Sequence, residues 1–159
     1  MSLQSVRAHL ARHGRDGDVI ETPTSSATVA LAAEALGVEP ARIAKTLGFY
    51  APDEDAAILV VAAGDARVHN AAFKARFGTK ARMLKAEDVE RLTGHAPGGV
   101  CPFANPPSAR LHLDASLRRF ETVFPACGSA ASAIEVAPSE FETLCDGVVG
   151  WVDVTTVPG

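Results

Sequence analysis

Two short segments hold the residue types that hydrolytic or anion-binding chemistry needs. Gly98-Gly99-Val100-Cys101-Pro102-Phe103 sets adjacent glycines ahead of a proline. Glycines permit φ > 0 and close approach of a ligand, so the N–H groups of Gly99 to Cys101 can hydrogen-bond a developing oxyanion. A plain turn is the everyday use of such a cluster. The second segment is Ile43-Ala44-Lys45-Thr46-Leu47. Lys45 stands where a helical turn passes into an otherwise apolar strand, so its ammonium either snorkels to solvent or faces a polar cleft.

Other candidates are sparser. His9 and His13 stand four residues apart on a helix without a Glu or third ligand beside them, which reads as a solvated pair, and no metal is expected. Cys101 with His95 forms an alternative cysteine-hydrolase pair. Cys127 and Cys145 read as packed apolar residues, and Phe141 and Trp151 as core anchors. Arg67, Lys74, Arg76, Lys80, Arg82 and Lys85 fall between Asp65 and Glu87 with no acid among them. That run forms either a solvated face or a local basic patch able to track phosphates.

Periodicity and turn residues predict the elements that hold these groups. Helices are expected over Ser2–His13, Ser26–Leu36 with N-caps at Thr24 to Ser26, Asn70–Phe77, Ala86–Thr93 and Pro138–Leu144, and a helical turn over Pro40–Ile43. Strands are expected over Val19–Glu21, Lys45–Tyr50, Ala57–Ala63, Ala81–Leu84, Arg110–Leu113, Glu121–Pro125, Ala133–Val136 and Val148–Val154. The mixture lacks strict βαβ alternation, so the expectation is an α+β fold around a curved mixed sheet.

At 159 residues, 47% apolar and 21% charged, residues 1–159 have the composition of a single globular domain. The apolar run Ala56–Ala63 is far below the roughly 20 residues that span a bilayer, and the formal charge of −4 argues against nucleic-acid binding through general positive charge. Three cysteines without a CxxC pair fit free thiols in a reducing cytosol.

The order Ala27-Thr28, Ala32-Ala33, Leu36-Gly37-Val38, Ile43-Ala44-Lys45-Thr46-Leu47, Gly64-Asp65, Gly94, Gly98 to Phe103 and Gly128 resembles the YbaK family of prolyl-tRNA editing proteins. The resemblance implies a single α+β domain whose mixed sheet curls into a pseudo-barrel flanked by helices. It also implies cytoplasmic trans-editing hydrolysis of mischarged aminoacyl-tRNA, most simply tRNA(Pro) carrying a small or non-cognate amino acid. Lys45 matches the family's functional lysine, and Gly98 and Pro102 match the ends of its GxxxP loop. Catalytic residues are then expected at Lys45, Gly98, Gly99, Cys101 and Pro102, and substrate-binding residues at Thr28, Thr46, Val100, Phe103 and Gly128. Mischarged tRNA is the implied partner, prolyl-tRNA synthetase a second, with no cofactor and no membrane. A binding module of the same fold without hydrolysis is the rival. Cys101, Ala104 and Ala131 replace the family's usual Ser, Gly and Gly.

Overall fold

A computed structural model describes residues 2–23, 28–53 and 55–158. The chain runs α1 (Ser2–Ala11), β1 (Ile20–Glu21), α2 (Val29–Leu36), β2 (Ile43–Tyr50), β3 (Ala57–Ala63), β4 (Arg67–Val68) and α3 (Asn70–Phe77). It continues through α4 (Ala86–Thr93), β5 (Arg110–Asp114), β6 (Phe124–Pro125), β7 (Ser132–Ala133), α5 (Phe141–Leu144), β8 (Val148–Val152) and β9 (Thr155–Thr156). A five-stranded sheet in the order β6-β2-β3-β5-β8 curls into a half-barrel. Only β2 and β3 are antiparallel; the other neighbours are parallel. The expected α+β domain with a curved mixed sheet is the fold observed.

β3 is buried along its whole length because both faces of the sheet are covered, which accounts for its unbroken apolar run. Alternation divides its side chains between two cores. Leu59 and Val61 join Val6, Leu10, Phe103 and Phe141 on one side, while Ile58 and Val60 join Phe49 and Phe73 on the other. Phe49, Phe73 and Phe77 pack in succession as tilted ring pairs at centroid distances of 4.7 and 4.6 Å.

The end of β3 is held with particular care. Ala63 N–H donates to Ser116 Oγ at 3.0 Å, and Ser116 N–H donates to the fully buried carboxylate of Asp114 at 2.9 Å. Asp114 also accepts from Val154 N–H at 3.0 Å and Thr155 Oγ1 at 2.7 Å, tying the C-terminal strand to the same point. Just beyond, Asp65 accepts two bonds from the Arg119 guanidinium, at 2.5 and 3.2 Å. That pair holds the Asp65 carboxyl below its usual range, chiefly through the Arg119 hydrogen bonds.

Glycines end α2, α3 and α4, with Gly37, Gly78 and Gly94 at φ of 70°, 73° and 78°. Several boundaries differ. The expected caps Thr24 to Ser26 lie outside the described residues, and α2 is capped by Thr28, whose hydroxyl accepts from Leu31 N–H at 3.1 Å. α1 stops at Ala11, and the helix expected over Pro138–Leu144 is a 3-10 turn leading into α5. The strands expected around 121–125 and 133–136 shrink to β6 and β7 plus a Val123–Val136 bridge, because each has a partner over a short stretch only. Residues 81–84 form a single bridge, Met83 to Phe49, rather than a strand. The β4–β9 pair had no expectation; Arg67-Val68 is too short to show a period.

Gly64 closes the turn after β3 against the preceding chain. A Cβ there lies 2.0 Å from the Pro40 carbonyl oxygen and 2.8 Å from Val29 Cγ1. Backbone cannot yield as a side chain does, so Gly64→Ala is expected to lower stability by about 3 kcal/mol or more. Chemical denaturation of the purified variant measures this, and an unchanged midpoint contradicts the packing described.

Candidate functional site

The second strand has two incomplete partners on one edge. β6 pairs with Ile43 and Ala44, and the 82–84 segment pairs with Gly48 to Tyr50 through Leu84 N–H to Gly48 O and Tyr50 N–H to Arg82 O, both 2.9 Å. Between them opens a cavity of about 480 Å³. Its walls come from α2 (Thr28, Val29, Ala32, Leu36), β2 (Ile43 to Gly48), the 83–89 segment (Met83, Leu84, Ala86, Val89), the glycine loop (Pro97, Gly98, Val100) and the β6–β7 region (Phe124, Ala126, Ser132, Ala133). Most of the lining is apolar, with Lys45, Thr28, Thr46 and Ser132 as the polar side chains, a mixture typical of a pocket for a small organic group.

Lys45 is half-buried at this cavity. Its Nζ donates to Ala66 O at 2.5 Å and Gly64 O at 3.2 Å, so the turn fixed by Ser116 and Arg119 also fixes the lysine. An ammonium has three N–H groups, and two are spent on these carbonyls. Burial pushes the Lys45 pKa down, Asp65 opposes that, and Arg67 adds to it. The result is a tethered cation with one donor left for a ligand.

The glycine loop meets a second turn backbone to backbone. A Cβ on Gly99 lies 2.7 Å from Gly128 O, while Gly98 and Gly128 hold φ of 88° and 91°. Three glycines therefore serve one contact, and Gly128 supports the loop from behind. Gly99 N–H donates to Ala96 O at 2.9 Å, which removes it from the expected set of oxyanion donors. Val100 lines the cavity, and among the described residues its N–H has no protein acceptor. Ala104 adopts φ 56°, a left-handed conformation that costs a residue with a Cβ about 1–2 kcal/mol.

The structure brings together Lys45, Thr28, Thr46, Gly98 and Val100 of the expected residues. It places Cys101, Pro102, Phe103 and Gly128 behind the loop, all buried and none lining the cavity, because the loop turns its Cys101 and Phe103 side chains into the main core. The cysteine-hydrolase alternative fails on the same geometry. Burial pushes the Cys101 thiol up to about 12. His95 Nε2 lies 2.8 Å from Phe103 O, an acceptor only, so Nε2 carries the proton and cannot take one from Sγ at 3.5 Å. Burial also pushes the His95 pKa down.

Of the basic run, Arg67, Lys74, Arg76, Lys80, Arg82 and Lys85 are all exposed. Lys74 and Lys80 flank one cleft with Asn70, and Lys85 sits between two cavity-lining residues, Leu84 and Ala86. Arg76 and Arg82 lie over the rings of Phe77 and Tyr50 at 5.4 and 5.5 Å. Sequence reasoning missed the apolar walls, Val29, Leu36, Met83, Leu84, Val89 and Phe124. Met83, large and apolar, is 55% exposed at the cavity, an exposure that only the fold reveals.

The aminoacyl-tRNA editing domain matches residues 24–144, and the chain belongs to that family. It is 51% identical to the "Uncharacterized protein YwhH" of Bacillus subtilis (strain 168), over 97% of each chain. It is 27% identical to the "Putative Cys-tRNA(Pro)/Cys-tRNA(Cys) deacylase EbsC" of Enterococcus faecalis (strain ATCC 700802 / V583), over 78% of this chain and 74% of that one. Its fold matches the crystal structure of "a putative trans-editing enzyme for prolyl tRNA synthetase", with a TM-score of 0.84, 29% identity and coverage of 99% and 98%. The crystal structure of hypothetical protein APE2540 matches with a TM-score of 0.78 and 29% identity, over 92% of this chain and 99% of that one. Among the described residues no helix is long and apolar enough to cross a membrane.

All three cysteines are buried and their thiol pKa values are raised, foremost by desolvation. The folded protein is expected to resist iodoacetamide at pH 8 and to react only once denatured, and Cys101→Ser is expected to keep turnover within about threefold of the parent, since no thiolate takes part. Mass spectrometry and deacylation rates read both; rapid modification of native Cys101 with loss of turnover restores the nucleophile.

Proposed function

We propose that the protein is a trans-acting deacylase that hydrolyses the ester of mischarged aminoacyl-tRNA, with tRNA(Pro) carrying a small or non-cognate amino acid as its substrate. The observation that carries the reading is the tethered Lys45 ammonium lining the same cavity as the glycine loop. The names of the similar deacylase and trans-editing proteins support it. The ester is already activated, so the site's task is to position it and to stabilise the oxyanion. Water adds to the carbonyl carbon, the bond to the ribose oxygen breaks, one proton of the water goes to the ribose oxygen and the other to solvent, and the amino acid leaves as its carboxylate.

Val100 N–H is the loop donor placed for the oxyanion. The third N–H of Lys45 meets a phosphate or hydroxyl oxygen of the terminal nucleotide, a task suited to a compact point charge. The apolar walls take the amino-acid side chain and discriminate by size, the logic of a second sieve. A cytoplasmic protein acting after release of the charged tRNA meets prolyl-tRNA synthetase as a transient partner.

Incubation with tRNA(Pro) mischarged by a panel of small amino acids tests the activity. Lys45→Met is expected to remain folded and to lose about 10²-fold in kcat/KM, whereas full turnover by the variant removes Lys45 from the site. Because the Lys45 pKa lies below that of a free lysine and the charged form binds, catalysed hydrolysis corrected for the spontaneous rate is expected to fall as pH rises through that lowered value. A rate that climbs monotonically to the free-lysine range contradicts the role.

Docking of the tRNA falls to the basic run. Replacing Lys74, Arg76, Lys80 and Arg82 with neutral residues is expected to weaken tRNA binding and flatten its dependence on salt, with hydrolysis of a minimal aminoacyl-adenosine nearly unchanged. Equal affinity and salt slope in the folded variant make this stretch a solvated face.

A further inference from the structure

The interrupted edge of β2 exposes main chain as well as side chains. In an antiparallel strand the N–H and C=O of one residue point to the same side, and successive residues alternate. Gly48 O and Tyr50 N–H bond to the 82–84 segment, so even-numbered residues of β2 face the outer edge, and Lys45, Leu47 and Phe49 face β3. Ala44, also even, meets β6, and Gly48 meets Leu84. Thr46 lies between the two partners. Among the described residues its N–H and C=O have no main-chain partner, and it lines the cavity.

The Thr46 side chain offers no substitute for these groups. Its Oγ1 is sealed from solvent and has no hydrogen-bond partner among the described residues, so the hydroxyl does not present itself to a ligand. An open strand edge of one residue, bounded on both sides, fits a ligand that is itself one residue long. An aminoacyl group carries an N–H donor and a carbonyl acceptor in the same spacing as a residue of an adjacent strand.

We propose that Thr46 binds the aminoacyl group through its main chain, as the missing strand residue of the β2 edge: Thr46 C=O accepts from the substrate's α-ammonium, and Thr46 N–H donates to the ester carbonyl. This rests on the deacylase reading and adds the means by which the acyl end is oriented. The ester carbonyl is held by Thr46 N–H while the side chain enters the apolar walls. Recognition through the α-amino and carbonyl groups is independent of side-chain identity, which leaves selectivity to Val29, Leu36, Met83 and Phe124. It also predicts that an acyl group without the ammonium is a poor substrate at the same ester.

Two arms test this on the mischarged tRNA that the wild-type protein hydrolyses fastest. In the first, the α-amine is converted to a hydroxyl, and the enhancement over spontaneous hydrolysis is expected to fall at least tenfold. In the second, Thr46 is replaced by its α-hydroxy analogue through semisynthesis, which removes the N–H and weakens the Lys45 carbonyl as an acceptor toward β3, and kcat/KM is expected to fall at least tenfold in a variant that a thermal melt shows to be folded. Equal enhancement on the deaminated ester or full turnover by the α-hydroxy variant overturns the assignment. A wild-type protein that hydrolyses no mischarged tRNA is a different result; it removes the deacylase reading itself, and the assignment with it.

Discussion

The site depends on an incomplete pairing. β2 is held on one side by β3 over seven residue pairs, and on the other by two short partners that stop at Ala44 and begin again at Gly48. A continuous partner strand closes this edge and fills the cavity with backbone. The open stretch is stable because neighbouring elements, rather than a strand, cover it: α2, the glycine loop and the Met83-Leu84 segment surround the gap without pairing to it. Native proteins blunt exposed edges by shortness and cover, and here the same devices make a pocket.

The charge in the pocket depends on a chain of contacts that begins far from it. Asp114, buried and accepting three hydrogen bonds, orders the turn that carries Ser116. Ser116 holds Ala63, Arg119 holds Asp65, and the carbonyls of Gly64 and Ala66 then hold Lys45. A half-buried ammonium is costly unless it is hydrogen-bonded; two carbonyl dipoles and the Asp65 carboxylate counter part of its lost hydration, and burial still leaves the Lys45 pKa lowered. Fixing the lysine before a ligand arrives is the pre-organisation that electrostatic catalysis requires.

The sheet, the helix stops and the Lys45 segment were legible because they rest on local patterns. An apolar run of strand length, glycines after periodic segments and a lone cation in an apolar strand are all properties of neighbouring residues. The pocket walls were not legible, since Val29, Val89 and Phe124 become neighbours only through the fold. The motif residues show the same limit from the other side. Gly98 and Val100 face the cavity while Cys101, Phe103 and Gly128 stand behind it, and a motif quotes both kinds alike. The Gly99–Gly128 contact, 2.7 Å from a virtual Cβ to a carbonyl, explains why glycines far apart in sequence belong to one feature.

The account's central claim is that the gap in the β2 edge holds the acyl end of the tRNA. A stable analogue, adenosine with its 3′ oxygen replaced by nitrogen so that an amide carries the amino acid, is titrated into isotopically labelled protein while amide and lysine ammonium resonances are followed. The account predicts that the largest shifts fall on Thr46, Gly98 and Val100 and on the Lys45 ammonium. Saturable shifts confined to the cleft of Lys74 and Lys80, or to the far side of the sheet around Trp151, contradict it.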